Sequence, residues 1–228
     1  MTETEHRLLE VSKKLLERYQ KHAPEQKTST DDPIEGLIET ILSQQNVGVV
    51  THRMYLALKT EFPTWDMALE AGQSGIQTVL ENAGGGLASI KAKYIFRVLE
   101  KLQVDRGSLS LEFCRKLSAS KARAFLESLP GVGAKTASCV LMFDLGLAAM
   151  PVDTHLHRIA KRLEFVASDA SAVQTEAWFD AHLPRSWTKR YEFHVNGFQH
   201  GRETCRSLKP KCAECVLLEL CPSGLMFD

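Results

Sequence analysis

Apolar residues recur at the three-to-four-residue spacing of a helix along almost the whole chain, and no stretch sustains the two-residue alternation of a half-buried strand. An all-α fold is therefore expected. Leu8, Val11, Leu15, Leu16 and Tyr19 mark a first helix that ends before Ala23-Pro24. Asp32-Pro33 supplies an N-cap and a first-turn proline for a second, whose stripe of Ile34, Leu37, Ile38, Ile41 and Leu42 stops at Ser43-Gln44-Gln45-Asn46. A third runs from Val49 to Phe62, and Thr64 to Ala71 and Ser74 to Ala83 read as two short helices, each opened by a capping hydroxyl. Gly84-Gly85-Gly86-Leu87 reads as a mobile loop before the stripe Ile90, Tyr94, Ile95, Val98 and Leu102. Further helices are expected over Ser110–Leu117, Ser120–Leu129, Thr136–Phe143, Thr154–Leu163, Ser171–His182 and Ser186–His200, the last burying Trp187, Tyr191, Val195 and Phe198.

The 228 residues can form one large domain or two small ones, and the polar segment Glu25 to Asp32 is a plausible boundary. No apolar run reaches the length of a membrane span, and the acidic, polar start carries no secretory-leader pattern, so a cytosolic protein without membrane association is expected. Lys plus Arg and Asp plus Glu are equal at 28 each, so total charge does not single out a nucleic-acid partner. Distribution is more informative. Arg185, Lys189, Arg190, Arg202, Arg206, Lys209 and Lys211 face only Glu192 and Glu203 in their stretch, and Arg158, Lys161 and Arg162 form a second cluster; the two together are expected to form a DNA footprint.

Between two helical patterns stands Leu129-Pro130-Gly131-Val132-Gly133-Ala134-Lys135. Pro-Gly-x-Gly makes a tight hairpin, in which Gly131 and Gly133 bring the backbone close to whatever lies outside. The free N–H groups that start the second helix then form an anion cradle suited to a DNA phosphate. Lys135 falls in that helix's first turn, where the dipole lowers the pKa of a cation. At an unperturbed pKa only about one lysine in 2,500 is neutral at pH 7, so a nucleophilic lysine needs such an environment, a base, or both. Asp153, in Val152-Asp153-Thr154-His155, is a candidate base, and equally the N-cap of the helix that follows.

Four of the six cysteines, Cys205, Cys212, Cys215 and Cys221, crowd the C-terminus as C-x6-C-x2-C-x5-C. In a reducing compartment that pattern indicates metal binding before disulfides. Ligand type alone leaves zinc and iron–sulfur open: only one close pair is present, and the spacing differs from the ferredoxin runs. Cys114 and Cys139 lie in apolar patterns and are expected as buried core thiols.

Leu-Pro-Gly-Val-Gly-x-Lys-Thr-Ala followed by Val-Asp-Thr-His resembles the helix-hairpin-helix DNA glycosylases, and the endonuclease III family most closely. The resemblance covers nearly the whole chain, and C-x6-C-x2-C-x5-C matches that family's cluster motif in all four positions. It implies two helical domains, 28–146 holding the hairpin and 1–27 with 147–228 carrying a [4Fe-4S] cluster on the four cysteines. It also implies a bifunctional enzyme that removes oxidised pyrimidines and cuts the strand at the abasic site, with Lys135 as Schiff-base lysine and Asp153 as catalytic aspartate. The lysine argues against the adenine glycosylases, which carry serine at the matching position. Gln45 matches the wedge that fills the space left by an extruded base, and Leu87 the residue entering from the opposite strand. Gly131 and Gly133 would hold a phosphate, with a monovalent cation on the hairpin carbonyls when DNA is bound. The loop bearing Arg206, Lys209 and Lys211 resembles the family's phosphate-contacting cluster loop. A monomer acting on damaged double-stranded DNA in the cytoplasm, at the nucleoid in a bacterium, follows. Other readings are a non-catalytic DNA-binding relative, a monofunctional mismatch glycosylase and an electron carrier.

Overall fold

The computed structural model describes residues 2–25 and 31–226. In chain order its α-helices are α1 Glu3–Tyr19, α2 Pro33–Ser43, α3 Gly48–Glu61, α4 Trp65–Asn82, α5 Ala88–Arg106, α6 Ala119–Glu127, α7 Ala134–Cys139, α8 Thr154–Arg162, α9 Ala172–His182 and α10 Trp187–Glu203. A single π turn, Val140–Asp144, continues α7, and short 3-10 turns cover Glu112–Lys116 and the segment after α10. No strand occurs among the described residues, as helical periodicity without alternation requires. Chain contacts divide the molecule into two compact units, Thr28–Leu145 and Met1–Lys27 with Gly146–Asp228. Most of the polar segment at 25–32 lies outside the described residues.

In the unit Thr28–Leu145, α2 is the central element. Asp32 caps it, accepting from Ile34 N at 3.0 Å, and the whole stripe Ile34, Leu37, Ile38, Ile41, Leu42 is buried. Removing each such side chain from water contributes about 1.5–3 kcal/mol. The Asp32 carboxylate also takes the Leu111 N–H at 2.9 Å and the Ser110 hydroxyl. The helix expected over 110–117 is instead the 3-10 turn Glu112–Lys116. Gly72, at φ 69° and ψ −179°, breaks α4 where two helices were read. Ile90 departs from its expected place, being 47% exposed, while Lys91 is 1% exposed and donates from Nζ to the Leu42 carbonyl at 2.7 Å. That bond caps an orphan carbonyl at the end of α2. Cys114 is buried; Cys139 is only half-buried.

In the other unit α1 packs Leu8, Val11 and Leu15 against α10. Buried positions of α10 are Trp187, Phe193, His194, Asn196 and His200, so its inner face is rotated from the expected Tyr191, Val195 and Phe198. Polar side chains occupy that interior because each finds partners. The Asn196 amide bonds Lys21 N at 3.1 Å and Lys21 O at 2.8 Å, and His194 Nδ1 lies 3.0 Å from Pro151 O. Arg190, 3% exposed, donates to the carbonyls of Pro184, Ala148, Asp180 and Leu183 and to the Asp180 carboxylate. Gly197 and Gly201 let α8 approach α10 closely, since a Cβ on either would come within 2.5 Å of Leu156 or His155.

Candidate functional site

The hairpin between α6 and α7 is as tight as its glycines allow. Gly131 has φ 77°, and its Cα lies so close to Tyr94 that a Cβ would fall on the ring. Val132 N donates to Leu129 O at 3.2 Å, and Gln44 Nε2 to Gly131 O at 3.3 Å, tying the hairpin to the end of α2. Gly133 is the N-cap of α7 and offers no side chain to it, so the first-turn N–H groups lack a side-chain cap. Gly133 and Lys135 are both exposed, and no hydrogen bond among the described residues holds the Lys135 ammonium. The result is a positive helix end next to a free amine.

Gln45 and Leu87 belong to the same unit. Gln45, exposed, takes φ 56° just past α2, and Leu87, 40% exposed, takes φ 60° as the N-cap of α5. Left-handed backbone on bulky, non-glycine residues is costly and is commonly kept where function requires it. The surrounding loop is held in place: Arg53 donates to the carbonyls of Ala83 at 2.6 Å and Gly84 at 3.3 Å. Gly85 packs on Met54, and a Cβ on Gly86 would lie 3.2 Å from Asn46 Oδ1. The glycines expected to loosen this loop instead permit its close approach to α3 and Asn46.

Asp153 stands in the other unit and is the N-cap of α8. Its Oδ1 accepts from His155 N at 2.9 Å and Leu156 N at 2.8 Å, which leaves Oδ2 without a hydrogen bond among the described residues. Arg158 and Arg162, expected as part of a DNA-facing cluster, point elsewhere. Arg158 donates to Gly201 O at 2.8 Å and Cys205 O at 2.7 Å, and Arg162 to Arg206 O at 2.7 Å and Ser207 O at 3.1 Å. They shape the loop whose side chains Arg206, Lys209 and Lys211 remain exposed; Lys211 also lies 3.5 Å from Glu214.

Cys205, Cys212, Cys215 and Cys221 all line one cavity. Burial pushes the Cys215 thiol up to about 11, aided by the other three sulfurs, and raises Cys221 as well. Two donors are aimed at the sulfurs, Arg162 Nη1 at Cys205 at 3.2 Å and Leu217 N at Cys215 at 3.4 Å, and His200 Nε2 lies 3.6 Å from Cys215. The Tyr19 hydroxyl lies 2.9 Å from His200 Nδ1 and 3.0 Å from Thr204 Oγ1, which fixes the ring beside the sulfur. Burial lowers His200 to about 4, so the ring is neutral. This pair escapes the sequence because its members stand 181 positions apart. Among the described residues no three His, Cys, Asp or Glu side chains are arranged to hold a single metal ion. A cube, in which each thiolate meets a different iron, does not require that closeness, and four soft donors around one cavity fit its chemistry.

Comparison with known proteins agrees with this architecture. The pattern of the HhH-GPD superfamily base excision DNA repair proteins matches residues 38–185. An Arabidopsis thaliana protein classed with the DNA glycosylases is 36% identical over 189 residues, 82% of this chain; the chain spans 62% of that plant protein's length. Endonuclease III of Escherichia coli K12 is 30% identical over 209 residues, covering 91% of this chain and 92% of the bacterial one. A solved non-covalent endonuclease III–DNA complex superposes with a TM-score of 0.80 at 25% identity, covering 99% and 98% of the two chains. The endonuclease III family generally carries a [4Fe-4S] cluster. Helical architecture, glycine hairpin and sequence kinship together place this chain in the HhH-GPD superfamily of base-excision DNA repair enzymes, within its endonuclease III family.

Proposed function

We propose that the chain is a bifunctional glycosylase and abasic-site lyase acting on oxidised pyrimidines in double-stranded DNA. The observation that carries this reading is Lys135: an exposed, unpaired amine in the first turn of α7, directly behind a glycine hairpin whose N–H groups can hold a phosphate. Its Nζ lone pair attacks C1′ of the lesion nucleotide. The N-glycosidic bond breaks, its electron pair leaves with the base, and opening of the sugar ring gives an imine between Nζ and C1′. Loss of a C2′ proton then expels the 3′ phosphate by β-elimination, and water releases the lysine.

Asp153 takes the proton from the attacking amine or stabilises the positive charge that develops at the sugar, through the Oδ2 that its capping role leaves free. Gln45 and Leu87 are both exposed on strained backbone; Gln45 fills the space left by the extruded base and Leu87 enters from the opposite strand. Arg206, Lys209 and Lys211 contact phosphates, and a monovalent cation sits on the hairpin carbonyls when DNA is bound. Cys205, Cys212, Cys215 and Cys221 would hold a [4Fe-4S] cluster that keeps the cationic loop in shape. A monomer working in the cytoplasm, at the nucleoid in a bacterium, completes the reading; no helix among the described residues is long and apolar enough to cross a membrane.

Borohydride trapping on an abasic duplex tests it. The unaltered chain gives a covalent adduct and Lys135→Ala gives none. Asp153→Asn keeps a good helix cap, because asparagine accepts the same two N–H bonds, yet reacts far more slowly. Base release without strand cutting would instead indicate a monofunctional mismatch glycosylase, and binding with neither reaction a non-catalytic DNA-binding protein.

A further inference from the structure

Lys91 lies in the interior of the unit Thr28–Leu145, and burial lowers its pKa. No ion pair among the described residues offsets that cost, and the one hydrogen bond of its ammonium there is the 2.7 Å bond to the Leu42 carbonyl. That carbonyl has a second donor of its own, Asn46 Nδ2 at 3.1 Å, so the end of α2 would stay satisfied without the lysine. A methionine would fill the same space with no charge to desolvate, so the ammonium is retained for something besides packing.

What its bonds join indicates the role. Leu42 stands three residues before Gln45, and the backbone N–H of Lys91 donates to Leu87 O at 2.9 Å. One residue therefore grips the chain beneath both exposed, left-handed positions, Gln45 at φ 56° and Leu87 at φ 60°. The two segments also meet directly. A Cβ on Gly86 would lie 3.2 Å from Asn46 Oδ1, and one on Gly85 would fall on Met54, whose Sδ is 3.1 Å from Asn46 Nδ2. We propose that Lys91 is a positioning residue that locks the Gln45 and Leu87 segments into one rigid wedge, so that both side chains enter the duplex at a fixed separation.

This rests on the wedge roles proposed above and adds the group that aligns them. Lys91 touches no reacting atom. A charge-assisted bond holds the end of α2 at one register against α5, where apolar contacts alone would let the two slide. Such alignment matters because a base stays extruded only while the space it left is filled, and a misplacement of about 1 Å far from the chemistry can cost about a hundredfold in rate.

The test uses the full chain and Lys91→Met, which nearly keeps the side-chain stem and removes the ammonium. Because the Leu42 carbonyl keeps its Asn46 donor and a buried charge disappears, urea unfolding should find the variant at least as stable as the parent. Single-turnover release of thymine glycol from a duplex is then measured, each rate divided by the same chain's trapping rate on an abasic duplex, where no base has to be lifted out. The normalised rate should fall about tenfold in Lys91→Met. Lys91→Gln, which returns a neutral donor on a shorter arm, should fall less, and it carries the test if the methionine chain does not fold.

Gln45→Ala, Leu87→Ala and the double variant read the coupling. In the parent the double loss should be about threefold or more short of the product of the single ones, since each disables the same rigid piece; in the Lys91→Met background the losses should simply multiply. A merely structural lysine would lower stability and leave that coupling in place. Normalised release equal to the parent's in a folded variant, or coupling that survives there, overturns the inference and leaves the lyase reading standing. A parent chain that gives no trapped adduct overturns the glycosylase reading as well.

Discussion

The half-buried Asp144 carboxyl should leave a measurable imprint on folding. Its ordinary value of 3.8 rises to about 7 in the folded chain, mainly through burial. Below pH 4 both states hold the proton and the group contributes no difference. As pH climbs from 4 to 7 the unfolded chain ionises while the folded one keeps its proton, so the native state loses stability over this window; above 7 the whole cost is present. The difference corresponds to about 4 kcal/mol at full burial, and solvent contact reduces it to about 2–3 kcal/mol. Asp144→Asn is nearly isosteric and does not titrate. Urea unfolding of both chains at pH 5, 6, 7 and 8 should therefore show the variant gaining on the parent as pH rises, most steeply below 7, with a plateau at 8. Titrating groups remote from Asp144 cancel in that comparison. A stability difference that stays constant with pH, or shrinks toward alkali, refutes the reasoning.

Gly131→Ala places a methyl group on the Tyr94 ring at positive φ and should cost about 2–4 kcal/mol in thermal or urea unfolding. Tyr94→Ala in the same chain should recover the steric share of that loss, as a double-mutant cycle would reveal. Arg190→Met leaves the carbonyls of Pro184, Ala148, Asp180 and Leu183 without their donor, and about 3–5 kcal/mol should be lost. Chain expressed with iron should be brown and hold about four iron and four sulfide; a colourless, zinc-loaded protein would overturn the cluster assignment.

What could be read without coordinates was whatever one local period carries. The stripe of α2 repeats at helical spacing and buries as that spacing demands, and the glycine hairpin announces its own turn. Departures arose where a polar group found a distant partner. Lys91 is drawn inside by the Leu42 carbonyl, and α10 turns its Asn196 and His200 inward because Lys21 and Tyr19 meet them there. Charge clusters misled for the same reason: Arg158, Arg162 and Arg190 resemble solvated cations in sequence, yet each is consumed by backbone carbonyls. The proposed site followed a similar division. Lys135, Asp153 and the cysteines stand in recognisable strings, whereas the Tyr19–His200 pair beside Cys215 joins positions no short motif spans.

The two arginines of α8 that grip the carbonyls of residues 201–207 carry a consequence for the segment beyond α10. Guanidinium forks that span several backbone acceptors tie those positions to one helix, so the cations beyond them are displayed from a braced platform.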